Sequence, residues 1–301
     1  MLAIIIPYYK LTFFDATLSP LAAQTCQDFK VYIGDDASPE DPSNLIEKYK
    51  GQFDFSYHRF EDNLGGISLT QQWERCIALS NNEEWLMILG DDDVLGENVV
   101  KEFYKNIKTV QNQNNNLIRF SSKIIHSSTG TLSEVYNNPK NENSVDSYIK
   151  HLQGISRSSL SEYVFRRESY VKHGFCNYPL AWHADDRAWL DFTNCGWIYS
   201  INDALVSIRL FDGSISGNTQ NIVLKKEARF LFFKDILSYK WKNLNRLQKR
   251  VFVIEFGKII IVDKKQDKKS LFLVLRKFIS IGALKPCAKF LRNLCFHYQK
   301  E

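Results

Sequence analysis

Short apolar runs alternate with helical stripes through the first hundred residues. Leu2–Ile6 is continuously apolar and is closed by Pro7, the pattern of a strand buried on both faces. Phe14, Leu18, Leu21 and Ala22 then recur at helical spacing, with Pro20 expected to kink or restart that helix. Phe29–Ile33 predicts a second strand, ended by Gly34-Asp35-Asp36, and Leu45, Ile46 and Tyr49 suggest a helix. Phe53–Phe60 alternates as a third strand, Asn63-Leu64-Gly65-Gly66 reads as a turn, and Leu69, Trp73, Cys76 and Ile77 form one helical face. Glu84–Leu89 is a fourth strand, stopped by Gly90-Asp91-Asp92-Asp93.

Beyond this point the pattern loosens. Asn98–Val110 predicts a helix and Leu117–Ile125 a strand, while Thr129–Ser144 is polar and reads as a loop. Glu162–Phe165 predicts a strand, Ser169–Phe175 a short helix, Trp182–Phe192 the start of another, and Trp197–Leu210 one or two strands. From Ile222 onward the pattern is helical, with apolar stripes such as Leu271, Leu275 and Phe278. Alternating strands and helices predict an α/β fold, a mainly parallel Rossmann-type sheet flanked by helices, with a C-terminal helical appendage. In such sheets ligands bind beyond the carboxyl ends of the strands. Here the polar residues gather there: Tyr8-Tyr9, Asp35-Asp36 and Asp91 to Asp93 follow three separate strands.

Charge sharpens the division of the chain. The net charge of +5 hides a split: residues 222–301 hold 20 of the 39 basic and 6 of the 34 acidic side chains, a net +14, which leaves −9 on residues 1–221. A basic tail suits an anionic lipid surface, an acidic partner or nucleic acid, and is equally a solvated helical face. It contains no helix-turn-helix, zinc or RNA-binding motif, so no nucleic-acid partner is expected. The six cysteines form no CxxC pair and are expected to be reduced. No run reaches the ~18 apolar residues of a membrane span, and no signal peptide is evident. A cytoplasmic protein is expected, with peripheral contact at the inner membrane face through 222–301 or a homodimer interface on the apolar stripes as the two uses of the tail.

Three acids in a row at a strand end repel one another unless a cation is present. Mg²⁺ or Mn²⁺ would relieve that repulsion by taking carboxylate oxygens and sharing its other positions with phosphate. Asp35-Asp36 could accept from a base imide or a ribose hydroxyl, and an aromatic ring at Tyr8-Tyr9 could stack on a base. A carboxylate in Trp182-His183-Ala184-Asp185-Asp186-Arg187 could take the proton of an attacking hydroxyl. Taken singly, each of these is equally a turn, a cap or a core residue.

Their order carries more than any one of them. Ile-Pro-Tyr-Tyr-Lys (6–10), Gln24-Thr25, Gly-Asp-Asp-Ala-Ser (34–38), Asn63-Leu64-Gly65-Gly66, Leu-Gly-Asp-Asp-Asp-Val-Leu (89–95) and Asp185-Asp186 resemble the inverting family 2 glycosyltransferases of the GT-A fold, over roughly residues 2–215. The resemblance implies a catalytic domain over 1–215, with a nucleotide-sugar half near 1–100 and an acceptor half near 101–215, and a basic helical region over 216–301. It implies metal-dependent transfer, with inversion, from a UDP-type sugar donor to an acceptor hydroxyl, on a saccharide or a lipid-linked saccharide, in cell-surface polysaccharide or lipopolysaccharide synthesis. Pro7, Tyr9, Asp35, Asp36, Asn63 and Asp91 would bind the donor. Asp92, supported by Asp93, would hold Mn²⁺ or Mg²⁺, and Asp186, with Asp185 in reserve, would be the base. Two positions depart from the family pattern. Gly90 stands where an acid is usual, and Glu74-Arg75 stands where Arg-Asn is usual. The rival readings are a sugar nucleotidyltransferase, which would need a Gly-rich basic loop after the first strand, and a non-catalytic binding module of the same fold.

Overall fold

A computed structural model of the chain describes residues 1–218, 220–262 and 267–298, with side chains through Cys295. The basic tail therefore includes stretches, 263–266 and 299–301, outside the described residues. The chain divides into two compact units: Met1–Asn177 with Ala184–Gln220, and Tyr178–His183 with Asn221–Glu301.

The first unit is built on one sheet of ten strands: β1 (Leu2–Tyr8), β2 (Phe29–Asp35), β3 (Phe55–Arg59), β4 (Trp85–Ile88), β5 (Val94–Leu95), β6 (Leu117–His126), β7 (Thr131–Leu132), β8 (Asn141–Asn143), β9 (Tyr163–Arg166) and β10 (Trp197–Leu210). Its order is β3-β2-β1-β4-β9-β6-β10-β5, with β7 beside β6 and β8 beside β10. The helices are α1 (Phe14–Ala22), α2 (Ser43–Tyr49), α3 (Leu69–Ile77), α4 (Val99–Asn112), α5 (Ser144–Leu152), α6 (Arg167–His173) and α7 (Ala184–Phe192).

β1 to β4 are mutually parallel, as the unbroken apolar runs predict, and Leu2 to Ile6 are wholly buried. The second half is mixed, because β9 lies antiparallel between β4 and β6, and β10 runs parallel to β6. The predicted parallel arrangement is thus confined to β3-β2-β1-β4 and the β6-β10 pair. α1 runs through Pro20 without a break. The stretch read as a loop before Ser144 carries β7 and β8, and α5 follows it, capped by the Asn143 side chain on the N–H groups of Val145 and Asp146. β10 is a single strand of 14 residues whose register against β6 breaks between Ile201 and Leu205. All six cysteines are free.

The second unit contains α8 (Ile222–Asp235), α9 (Arg246–Val262), α10 (Lys268–Ser280) and α11 (Leu284–Tyr298). The short segment Tyr178–His183 belongs to it, held by contacts with α8. Tyr178 donates a hydrogen bond to Asp235 (2.8 Å), His183 stacks on Phe232 with ring centroids 4.9 Å apart, and Lys225 lies over the Trp182 ring. The predicted apolar stripe of α10 is used inside the unit: Phe278 is buried against Phe290, and Leu271 and Leu275 are half-buried. The exposed apolar side chains of α10 are Phe272 and Ile279 instead. Among the described residues no helix is long and apolar enough to cross a membrane.

Candidate active site

The ends of β1, β2 and β4 are tied together by hydrogen bonds. Leu89 N–H donates to the Ile5 carbonyl, the last rung between β4 and β1. Pro7 has no N–H to extend that ladder, and β4 leaves the sheet into Gly90-Asp91-Asp92-Asp93. Asp91 Oδ2 accepts the backbone N–H groups of Tyr9 and Lys10, both at 2.8 Å. Asp36 N–H donates to the Tyr8 carbonyl (3.0 Å), and Ser38 Oγ donates to the Tyr9 carbonyl (2.6 Å). The Tyr9 ring is left exposed at this edge while Tyr8 is buried.

Each of the five acids has its own surroundings. Asp35 is fully buried and accepts from Ser38 N–H, Tyr57 Oη and Arg59, so it braces the β2–β3 edge. Asp36 accepts the Leu64 and Gly65 N–H groups at 2.8 and 2.9 Å and the Arg75 guanidinium. Burial still pushes its carboxyl above the usual range. A Cβ on Gly65 would land on Asp36 Oδ2, which makes glycine the residue that lets this loop close. Asn63 is spent on the turn itself, accepting the Gly66 N–H at 2.7 Å. Asp93 is engaged at both oxygens, by Ser161 Oγ (2.5 Å) and Arg209 N–H (2.8 Å).

Asp92 is different. Among the described residues no other residue donates a hydrogen bond to its carboxylate, although Arg209 Nε binds its backbone carbonyl at 3.0 Å. Burial, then the charges of Asp93 and Asp91, push its carboxyl up to about 8. Gly90 is explained by the same crowding: a Cβ there would stand 2.9 Å from Asp92 Oδ1 and 3.0 Å from Asp93 Oδ2. Half-buried carboxylate oxygen with no donor is what a hard divalent cation takes, and these residues fit one. No three His, Cys, Asp or Glu side chains converge among the described residues. Asp92 alone would therefore anchor such an ion, with diphosphate oxygens and water completing its shell.

Asp185 and Asp186 open α7, an element separate from the acid turn. A polar wall joins the two places. Asp93 bonds Ser161, the next residue Glu162 pairs with Arg157 at 2.7 Å, and Glu162 adds its field to that of Asp186 on His151. Asp186 is 7% exposed, with its Oδ1 3.6 Å from His151 Nδ1. Burial and then Asp186 push Asp185 up to about 7. Sequence reasoning passed over Arg75, His151, Arg157, Ser161, Glu162 and Arg209. Arg75 drew notice only as a departure from a family pattern, and for the others no spacing in the sequence points to this site.

A sheet that is parallel through β3-β2-β1-β4, with acids at the ends of β2 and β4 and helices on its flanks, has the GT-A architecture. The family model described as "Glycosyl transferase family 2" matches residues 3–163, more than half of the chain. The chain belongs to glycosyl transferase family 2. Among solved structures it is similar to S. aureus TarS residues 1–349 in complex with UDP-GlcNAc, at 14% identity and a TM-score of 0.66, covering 93% of this chain and 80% of that one. It is also similar to S. aureus TarS itself (14%, TM-score 0.63, 93% of this chain and 48% of that one) and to residues 1–349 with UDP (14%, TM-score 0.56, 100% and 92%). No curated protein matches it.

Proposed function

We propose that this glycosyltransferase moves a sugar from a UDP-linked donor to an acceptor hydroxyl with inversion, in a metal-dependent reaction. The observation that carries the reading is Asp92, the one acid of its turn that takes no hydrogen bond from another residue among those described. The UDP-GlcNAc and UDP complexes of the similar TarS structures support a uridine donor. Tyr9, exposed beside Pro7, offers its ring to the base, and Asp36 Oδ2, which among the described residues accepts only Gly65 N–H, keeps a lone pair for the imide. Asp91 holds the Tyr9-Lys10 backbone against the acid turn. A bound Mn²⁺ or Mg²⁺ supplies charge neutralisation for the departing diphosphate. Lys10 and Arg209 flank that turn and add positive potential. Asp186 takes the acceptor proton as the new bond forms on the opposite face of the sugar carbon. A role in cell-surface polysaccharide synthesis, on a saccharide or lipid-linked saccharide, follows from the family likeness. The test is thermal stability against a panel of nucleotide sugars with Mn²⁺ or EDTA. At about a hundredfold excess over Kd a ligand adds roughly 2.7 kcal/mol. The reading expects that gain from a UDP-sugar only with metal, and fails if no nucleotide sugar gives it.

A second proposal concerns α10 and α11. Phe272 and Ile279 are 67% and 66% exposed on α10, and Leu284 is 69% exposed on α11. Residues 267–295 hold seven basic side chains and one acid, Asp267, which is occupied as the cap of α10. We infer that this surface meets anionic lipid, since a second copy would oppose like charge with like. Sedimentation with phosphatidylglycerol vesicles but not phosphatidylcholine vesicles is expected. Binding to neither sinks the idea.

A further inference from the structure

His151 ends α5, and its ring turns into the protein toward the first turn of α7. Nδ1 is inaccessible to solvent and has no hydrogen-bond partner, while Asp186 Oδ1 stands 3.6 Å away. That is an ion-pair distance and too long for a hydrogen bond; a shift of less than an ångström would make one. A histidine in the last turn of a helix is also favoured by the helix dipole, but that would leave the ring nitrogens facing water. Here the side chain is about a third exposed, and the nitrogen facing Asp186 is the buried one.

We propose that His151 is the positioning residue for the general base: its Nδ1–H closes on Asp186 Oδ1 and holds the carboxylate in the orientation that receives the acceptor proton. This rests on the reading of Asp186 as the base. The charged groups around the imidazole are Asp186 and Asp185 from α7 and Glu162 from the turn before β9. On its own helix Lys150 is paired to Glu142. Three acids around one imidazole raise it above its ordinary range, with Asp186 foremost. A ring so placed donates from Nδ1 in both protonation states. Once protonated it also makes Asp186 a weaker base, so His151 ties the acid limb of the rate profile to its own titration.

The test follows UDP release from UDP-GlcNAc, by transfer or to water, and NMR of the imidazole. His151→Leu is expected to lower kcat at least tenfold while KM for the donor stays within about twofold. Its acid limb is expected to move to lower pH, because protonation of the imidazole no longer weakens Asp186 as a base. His151→Asn, which restores an N–H near the position of Nδ1, is expected to recover most of kcat. In the wild type the ring is expected as the Nδ1–H tautomer, with a pKa that drops in Asp186→Asn. An imidazole pKa that ignores Asp186→Asn overturns the proposal without reference to activity, even if His151→Leu fails to fold. So does a His151→Leu enzyme with the wild-type kcat and pH limb. If instead Asp186→Asn turns over at the wild-type rate, the assignment of the base fails, and the NMR result still decides whether the two side chains are coupled.

Discussion

The Arg75 guanidinium donates to Asp36 Oδ1 while lying 3.9 Å over the Phe60 ring and reaching Asp62 Oδ1 at 2.7 Å. One side chain from α3 thereby joins the end of β2 to the loop after β3. Only a planar, multi-donor cation does this.

Arg75→Ala is expected to weaken donor binding at least tenfold, because Asp36 loses its orientation. It should also cost about 2 kcal/mol of stability, the typical worth of a hydrogen bond to a charged group. Arg75→Lys should recover little of either, since an ammonium cannot span Asp36, Asp62 and the Gln72 side-chain oxygen, to which Arg75 Nε also donates. Calorimetric titration with UDP and a urea melt check both.

Asp92 gives a pH signature. Burial, with Asp93 and Asp91 beside it, pushes its carboxyl up to about 8 in the folded chain, while the unfolded chain keeps the ordinary carboxylate value. The folded state therefore binds the proton more tightly, and stability is lost as pH rises through about 8. In EDTA the melting temperature is expected to fall from roughly pH 4 to about 8 and to level off above that. Mn²⁺ should reverse that fall, and Asp92→Asn should flatten it and abolish metal-dependent UDP binding. A melting temperature indifferent to both pH and Mn²⁺ would contradict this account.

Gly90→Asp would restore the acid usual in the family, yet it is expected to impair this enzyme. The new Cβ would crowd Asp92 Oδ1 and Asp93 Oδ2, and a fourth carboxylate would join three already pushed above their usual range. Turnover should fall tenfold or more, with Mn²⁺ affinity altered; wild-type kinetics in this variant would show that the turn is looser than its geometry.

Arg119 is wholly buried, and binds Glu142 (2.8 Å), Ser147 on α5 (2.7 Å) and Ser200 (3.3 Å). Removing it strands Glu142 with Lys150 alone. Arg119→Ala is expected to cost about 3–5 kcal/mol by chemical denaturation, the usual cost of orphaning a buried charge. Donor affinity in the surviving folded protein should change little.

The N-terminal half was readable because a strand covered on both faces must be apolar throughout. Leu2–Ile6, Phe29–Ile33 and Glu84–Leu89 each announce themselves, and the acids at their ends follow. The antiparallel insertion of β9 was not readable, since Tyr163–Arg166 looks the same in either direction. α5 was missed although Asn143 caps it and Val145, Ser147 and Tyr148 form its buried face. The sequence pattern assigns no element between Ser144 and Glu162, and His151 lies in that gap. Nothing in Asp91-Asp92-Asp93 distinguishes the member that stays unbonded. That depends on Ser161 and on the backbone of Arg209, which are distant in sequence and arrive only with the fold.

The acid turn is hung between two supports. β4 enters it, and β5 leaves it already paired to β10 at Leu95–Val206 and Val94–Ser207, with Arg209 bonding back to Asp93 and to the Asp92 carbonyl. A loop fixed at both ends has little entropy left to surrender when a ligand arrives. The discrimination between a full and an empty site then falls to charge, and ionic strength and pH become stronger levers on occupancy than any loosening of the backbone.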